Sequence, residues 1–151
     1  MNEFNSINDA LEFAIQAEQE AADFYTNLAN GSKNQPMREV FIQYAKEEKG
    51  HKKRLENIKR KKTFEFSDEK VFDLKIGDYL IDVKPTMDMS YQDALILAMK
   101  REKSAFKLYS DLAEIAPNRG LKNIFLTLAQ EEAKHKLRFE IEYDDNILKE
   151  N

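Results

Sequence analysis

The sequence predicts an all-α fold: an antiparallel four-helix bundle built from two duplicated helix pairs with a long crossover connection between them. Three observations carry that expectation. Only 4 Gly and 3 Pro interrupt 151 residues of which 34% are charged and 42% apolar, a balance suited to long amphipathic helices rather than a turn-rich β fold. The chain is also written twice. A gapless shift of 84 residues (90 − 6) lays Ser6, Asp9, Ala10 and Leu11 on Ser90, Asp93, Ala94 and Leu95, and Glu18, Tyr25 and Leu28 on Glu102, Tyr109 and Leu112. It also lays Phe41, Ala45, Glu47, Glu48 and His51 on Phe125, Ala129, Glu131, Glu132 and His135, the mark of a duplicated unit. Finally, both units carry inward seams whose steps alternate between three and four, as packed antiparallel helices require.

Helix 1 begins after Ser6-Ile7-Asn8-Asp9, a capping sequence in which Ser and an acidic residue three positions on meet orphan amide donors. Its seam is Leu11, Ala14, Glu18, Ala21, Tyr25 and Leu28, and Asn30-Gly31-Ser32 breaks it after about Ala29. Pro36 opens helix 2, which runs to about Lys61 with the seam Met37, Phe41, Tyr44, Glu48, His51, Leu55 and Ile58. Helix 3 spans about Tyr91 to Ile115 after the second capping sequence, Ser90-Tyr91-Gln92-Asp93, with Leu95, Ala98, Glu102, Ala105, Tyr109 and Leu112 inward. It stops at Pro117-Asn118-Arg119-Gly120, and helix 4 runs from near Leu121 to about Glu142 with Leu121, Phe125, Leu128, Glu132, His135 and Phe139 inward.

The stretch from about Lys62 to Met89 is long for a bundle connection yet too apolar for a linker, since Phe64, Phe66, Phe72, Leu74, Ile76, Leu80, Ile81 and Val83 need burial. It is expected to travel along the bundle and partly cover it. A short extended piece over Phe72-Asp73-Leu74-Lys75-Ile76, a short helix after Ser67, or a subunit interface would each use those residues.

Composition excludes several chemistries. With no Cys there are no disulfides, thiolate metal sites, iron–sulfur clusters or cysteine nucleophiles. The longest apolar run, Ala94 to Met99, is far short of the ~20 residues of a membrane span. Met1-Asn2-Glu3-Phe4-Asn5 lacks the order of a secretory signal, so a cytoplasmic protein is expected. A net charge of −4 argues against a nucleic-acid partner.

The anomaly is what fills the middle of each seam. Glu18, Glu48, Glu102 and Glu132 stand where apolar residues belong, and His51 and His135, the chain's 2 histidines, follow Glu48 and Glu132 by one helical turn on the same face. Buried unpaired charge costs several kcal/mol per group, and no Lys or Arg lies on the seams. Protonated glutamates with raised pKa values offer one escape. Two divalent cations offer a better one: four carboxylates, two neutral imidazoles and two 2+ ions sum to zero. Oxygen donors with one imidazole per ion suit iron or manganese, and zinc can also bind.

Glu18 with Tyr25, Glu48-Lys49-Gly50-His51, Glu102 with Tyr109, and Glu132-Ala133-Lys134-His135 resemble the ferritin-like carboxylate-bridged di-iron proteins and, within them, the rubrerythrin-like branch. The resemblance spans all four helices. It implies two iron ions bridged by Glu48 and Glu132, with Glu18 and Glu102 terminal and His51 and His135 each capping one ion. Tyr25 and Tyr109 match a tyrosine that hydrogen-bonds near such a site; as residues of a seam they read equally as core aromatics. Rubrerythrins proper add a rubredoxin-like domain with four Cys, absent here, and a further glutamate three residues past the helix-3 ligand, where this chain has Ala105 and its repeat mate Ala21. The centre is therefore expected to be symmetric and to draw its electrons from an external donor such as a rubredoxin-like protein.

The implied activity is oxidoreduction, a reduced dimetal centre passing two electrons to hydrogen peroxide or dioxygen under oxidative stress. Ferrous-iron oxidation and iron handling, manganese catalase-like chemistry, and a non-enzymatic metal-binding bundle use related donors. A homodimer is the expected assembly. Of the remaining signals, Lys52-Lys53-Arg54 and Lys59-Arg60-Lys61-Lys62 make the end of helix 2 basic, as a solvated face near a helix C-terminus or a dock for an acidic redox partner. Gly50 is a costly mid-helix residue, open to drift or close packing. Glu47 and Glu131, four before each His, face solvent, neighbouring helices or an imidazole.

Overall fold

The computed structural model describes residues 4, 6–61, 74–81, 84–86 and 88–148. They form α1 (Ile7–Gly31), α2 (Gln35–Lys61), a 3₁₀ turn (Ile76–Asp78), α3 (Tyr91–Ile115) and α4 (Arg119–Tyr143), with a π turn at Asp144–Leu148. The chain divides at Leu74 and Lys75 into two compact units, one carrying α1 and α2, the other the 3₁₀ turn, α3 and α4. Within each unit the two helices pack along one another. No helix among the described residues is long and apolar enough to cross a membrane.

In the first unit the Ser6 side chain accepts a hydrogen bond from the Asp9 amide at 3.2 Å, satisfying one orphan donor, while Asp9 sets a negative charge in the first turn. The helix ends within the Asn30-Gly31-Ser32 run, as expected: Gly31 is its last residue, and the Ser32 amide caps it by bonding to the Ala29 carbonyl. Asn34 caps α2, its Oδ1 accepting from the Met37 amide at 3.1 Å. The helix thereby begins one residue before Pro36. Leu11, Ala14, Ala21 and Tyr25 of α1 and Met37, Phe41, Leu55 and Ile58 of α2 are buried, as the seams require; Leu28 and Tyr44 are part-buried. Phe4 joins this core, edge-on to Phe13 at 5.6 Å.

A Cβ added at Gly50 would meet nothing within 4 Å, so close packing does not require glycine there. Gly50→Ala is expected to stabilise the fold by about 0.5–1 kcal/mol and to raise the melting temperature by ~1–4 °C, read by circular dichroism.

The second unit repeats the pattern. Ser90 caps α3 through the Asp93 amide at 3.1 Å, and Asn118 caps α4 through the Leu121 amide at 2.8 Å. Helix α4 thus opens at Arg119, with Gly120 inside its first turn. Leu95, Ala98, Tyr109, Leu112, Leu121, Phe125, Leu128 and Phe139 are buried, and Ala105 is part-buried.

The described part of the crossover is tied to α3. Tyr79 is buried; its hydroxyl donates to Asp111 Oδ2 at 2.7 Å, its carbonyl accepts from Ser104 Oγ, and Lys107 Nζ lies 5.6 Å from its ring centroid. Leu74 is buried too. Lys75 is extended and leads directly into the 3₁₀ turn. Leu80, expected to need burial, is 58% exposed, because the adjacent Tyr79 takes the inward place. Phe64, Phe66, Phe72, Val83 and the helix considered after Ser67 lie outside the described residues.

Burial, then its hydrogen bond to Asp111, raises the Tyr79 phenol above its ordinary pKa of 10.0, and burial with the Glu142 contact does the same for Tyr91. The folded state holds these protons to higher pH than the unfolded chain. Above pH 10 the unfolded state therefore binds fewer protons, and stability falls as pH rises. Tyr79→Phe should cost about 1 kcal/mol at pH 7 yet flatten the decline above pH 10, as measured by urea melts from about pH 7 to 11.

Candidate metal centre

Each helix pair gathers two glutamates and one histidine. Glu18 lies in mid-α1, and Glu48 and His51 are one turn apart on α2. His51 Nδ1 stands 3.0 Å from Glu18 Oε2 and 3.4 Å from Glu48 Oε1. In the second pair, Glu102 of α3 and Glu132 and His135 of α4 repeat the arrangement, His135 Nδ1 standing 3.5 Å from Glu102 Oε2 and 3.7 Å from Glu132 Oε1. All six side chains are buried, exposed by 2% or less. Within each triad, one donor atom per residue lies within 4.8 Å of the others.

These spacings suit a shared cation. An ion with bonds of about 2.1 Å sets adjacent ligand atoms about 3.0 Å apart along an octahedral edge and about 3.4 Å along a tetrahedral one. Charge points the same way. A protonated His51 offsets one of its two carboxylates and leaves the triad at −1 in a buried setting, where net charge is costly. A divalent ion beside a neutral imidazole cancels both carboxylates. Such an imidazole offers its Nδ1 lone pair and keeps its proton on Nε2. The donor set of oxygens and one nitrogen fits iron, manganese or zinc.

All six donors expected from the seams are therefore brought together, three in each pair. Tyr25 is buried seven residues past Glu18, tilted against Phe24 at 5.7 Å and edge-on to Tyr44 at 6.5 Å; Tyr109 is buried at the equivalent place. Glu47 and Glu131 are part-buried, as is Ala105, while Ala21 is buried. One neighbour of the site escaped the sequence reading. Lys52 Nζ donates to Gln19 Oε1 at 2.8 Å, joining the residues that follow His51 and Glu18 and fixing α1 against α2 one position beyond the donors. Its signal is faint, a polar pair adjoining two seam positions.

A family model described as Rubrerythrin matches residues 9–84 and 93–151, segments that start at equivalent points of the repeat. No curated protein matches the chain. Among solved structures, a protein of Thermotoga maritima described as a putative ferritin-like diiron-carboxylate protein is similar over 97% of this chain and 98% of its own, with a TM-score of 0.75 and 19% identity. A hypothetical protein from Pyrococcus furiosus is similar over 89% of this chain and 86% of its own, with a TM-score of 0.69 and 27% identity. The fold is thus the all-α ferritin-like four-helix bundle.

Proposed function

From the membership of this chain in the rubrerythrin family, we propose that its six buried donors hold a dimetal centre, one ion per helix pair, and that the protein is an oxidoreductase that reduces hydrogen peroxide with electrons from an external donor. The observation that carries the reading is the repeated triad, an imidazole Nδ1 within 3.0–3.7 Å of two buried carboxylate oxygens. Iron is the proposed metal, in keeping with the family.

Glu48 and Glu132 are proposed to bridge the ions, Glu18 and Glu102 to hold them from the other helices, and His51 and His135 to cap one each. A bound ferrous pair supplies two electrons which, with two protons, convert one hydrogen peroxide into two waters. The chain's part is to hold charge and geometry. Its carboxylates neutralise the ions, its helices fix the donors before the oxidant arrives, and the aromatic residues around Tyr25 keep bulk water away. The phenols of Tyr25 and Tyr109 are proposed to hold protons beside the site. The electrons are proposed to come from an external donor such as a rubredoxin-like protein.

The test is to load the protein with iron, reduce it without oxygen, and mix it with peroxide or air. Reoxidation by peroxide is expected at least about tenfold faster than by air, a barrier difference of ~1.4 kcal/mol. Oxygen evolution would replace this reading with a catalase, and a native protein carrying only zinc would replace it with a non-enzymatic bundle.

A further inference from the structure

Between α1 and α2 lies a cleft of about 970 Å³. Its charged lining is Glu12 on α1 and Lys52, Lys53, Glu56, Lys59 and Arg60 on α2, four cations against two carboxylates. On a chain of net charge −4 this is a local reversal of sign. Lys59 pairs with Glu12, Lys52 bonds to Gln19, and Arg60 Nη2 donates to Asn57 Oδ1 at 2.7 Å. These contacts orient the cations but leave the cleft positive overall.

The duplication provides an internal comparison. Moving 84 residues on, Lys53, Asn57, Lys59 and Arg60 become Leu137, Ile141, Tyr143 and Asp144, and Leu137 and Ile141 are 58% and 44% exposed. The same helical hairpin therefore folds with either surface, and the basic one is not needed to build it. The helix dipole is an incomplete account as well. The last turn of α2 holds Lys59, Arg60 and Lys61, the last turn of α4 holds no basic residue, and Lys52 and Lys53 lie outside the dipole's one-turn reach.

The cleft also adjoins the donors, since Lys52 of its lining follows His51 and bonds to Gln19, the residue after Glu18. About one helix diameter, ~10 Å, separates a helix's outer face from its inner one. We propose that this cleft docks an acidic electron-carrier protein that recharges the dimetal centre. The purpose of the dock rests on the redox reading above; its location does not. At each encounter the carrier loses one electron and the centre gains it, no atom is transferred, and two encounters restore the pair spent on one peroxide. Exposed Lys53 and Arg60 steer the carrier through solvent over roughly one Debye length, ~8–10 Å at moderate salt. Small, transient contacts of this kind are usual between redox partners.

The test uses the full chain and an acidic rubredoxin as probe. Binding of the oxidised probe is followed by NMR titration at low salt, and reduction of the iron-loaded protein by the reduced probe is compared with reduction by dithionite. Lys53→Glu with Arg60→Glu should weaken binding at least about tenfold and lower the probe-to-dithionite rate ratio by a similar factor. Arg119→Glu with Lys122→Glu, the same charge change at exposed positions of the other pair, should alter binding less than about twofold. Equal weakening by both pairs of substitutions, or no binding by the parent protein, would overturn the dock. Peroxide reduction driven by dithionite would in that case leave the redox reading standing. Cleft-dependent binding by a protein whose loaded centre neither the probe nor dithionite can reduce would do the reverse, keeping the dock and sinking the redox reading.

Discussion

Glu48→Ala and Glu132→Ala will each purify with fewer than two ions per chain. Each removes a carboxylate oxygen 3.4 Å or 3.7 Å from its histidine Nδ1, and in the proposed bridging role that carboxylate would serve both ions at once. Losing an outer partner of a ligand costs 10–100-fold in metal affinity, so losing the ligand itself should weaken at least one ion by more than about 100-fold. Elemental analysis after iron loading, together with the visible spectrum, measures the outcome. Two tightly held ions and an unchanged spectrum in either variant would show that the bridging roles are wrong.

The second large effect is a change of sign. Glu102 is 1% exposed on α3, and without metal its carboxyl group is buried at a cost, whether ionised or protonated. Trading buried ionisable groups for apolar side chains of similar volume is often neutral or stabilising by ~1–4 kcal/mol; Glu102→Leu, which removes one of the two carboxylates facing His135, should therefore raise the melting temperature of the chelated protein by about 2–16 °C at ~2–4 °C per kcal/mol. With metal the order reverses. An ion at a thousand times its dissociation constant stabilises the parent by about 4 kcal/mol, an amount the variant forfeits in whole or in part. Calorimetry with and without chelator decides the matter, and a variant that melts below the parent in both states would contradict a cation-dependent centre.

The inward placement of the six side chains was legible because helical register alone decides which way a side chain points. Once Leu11, Ala14, Ala21 and Tyr25 define a seam, Glu18 is inward whatever the details of packing. Boundaries were less legible. Gly31 and Gly120 do stand at helix ends, but as the last residue of α1 and the second residue of α4, so each boundary falls within a residue or two of the glycine rather than on it. Asn34 and Asn118 hold the caps, but Pro36 and the Pro117–Gly120 run drew attention away from them. The anchoring of the crossover was not readable at all. The partners of Tyr79, Ser104 and Asp111, lie 25 and 32 residues further along, and no local pattern announces a contact made only once α3 is in place. Nothing in the sequence separated Leu80 from Tyr79 as the residue turned outward.

Each donor triad belongs to a single helical hairpin, with 33 residues from Glu18 to His51 (51 − 18) and the same from Glu102 to His135 (135 − 102). Contacts so near in sequence close quickly, whereas distant ones pay a larger loop entropy first. During synthesis the amino-terminal hairpin leaves the ribosome about 84 residues ahead of its twin, several seconds at ~5–20 residues per second. For that interval the emerging chain already carries Glu18, Glu48 and His51, the whole of one triad, while its twin is still unmade.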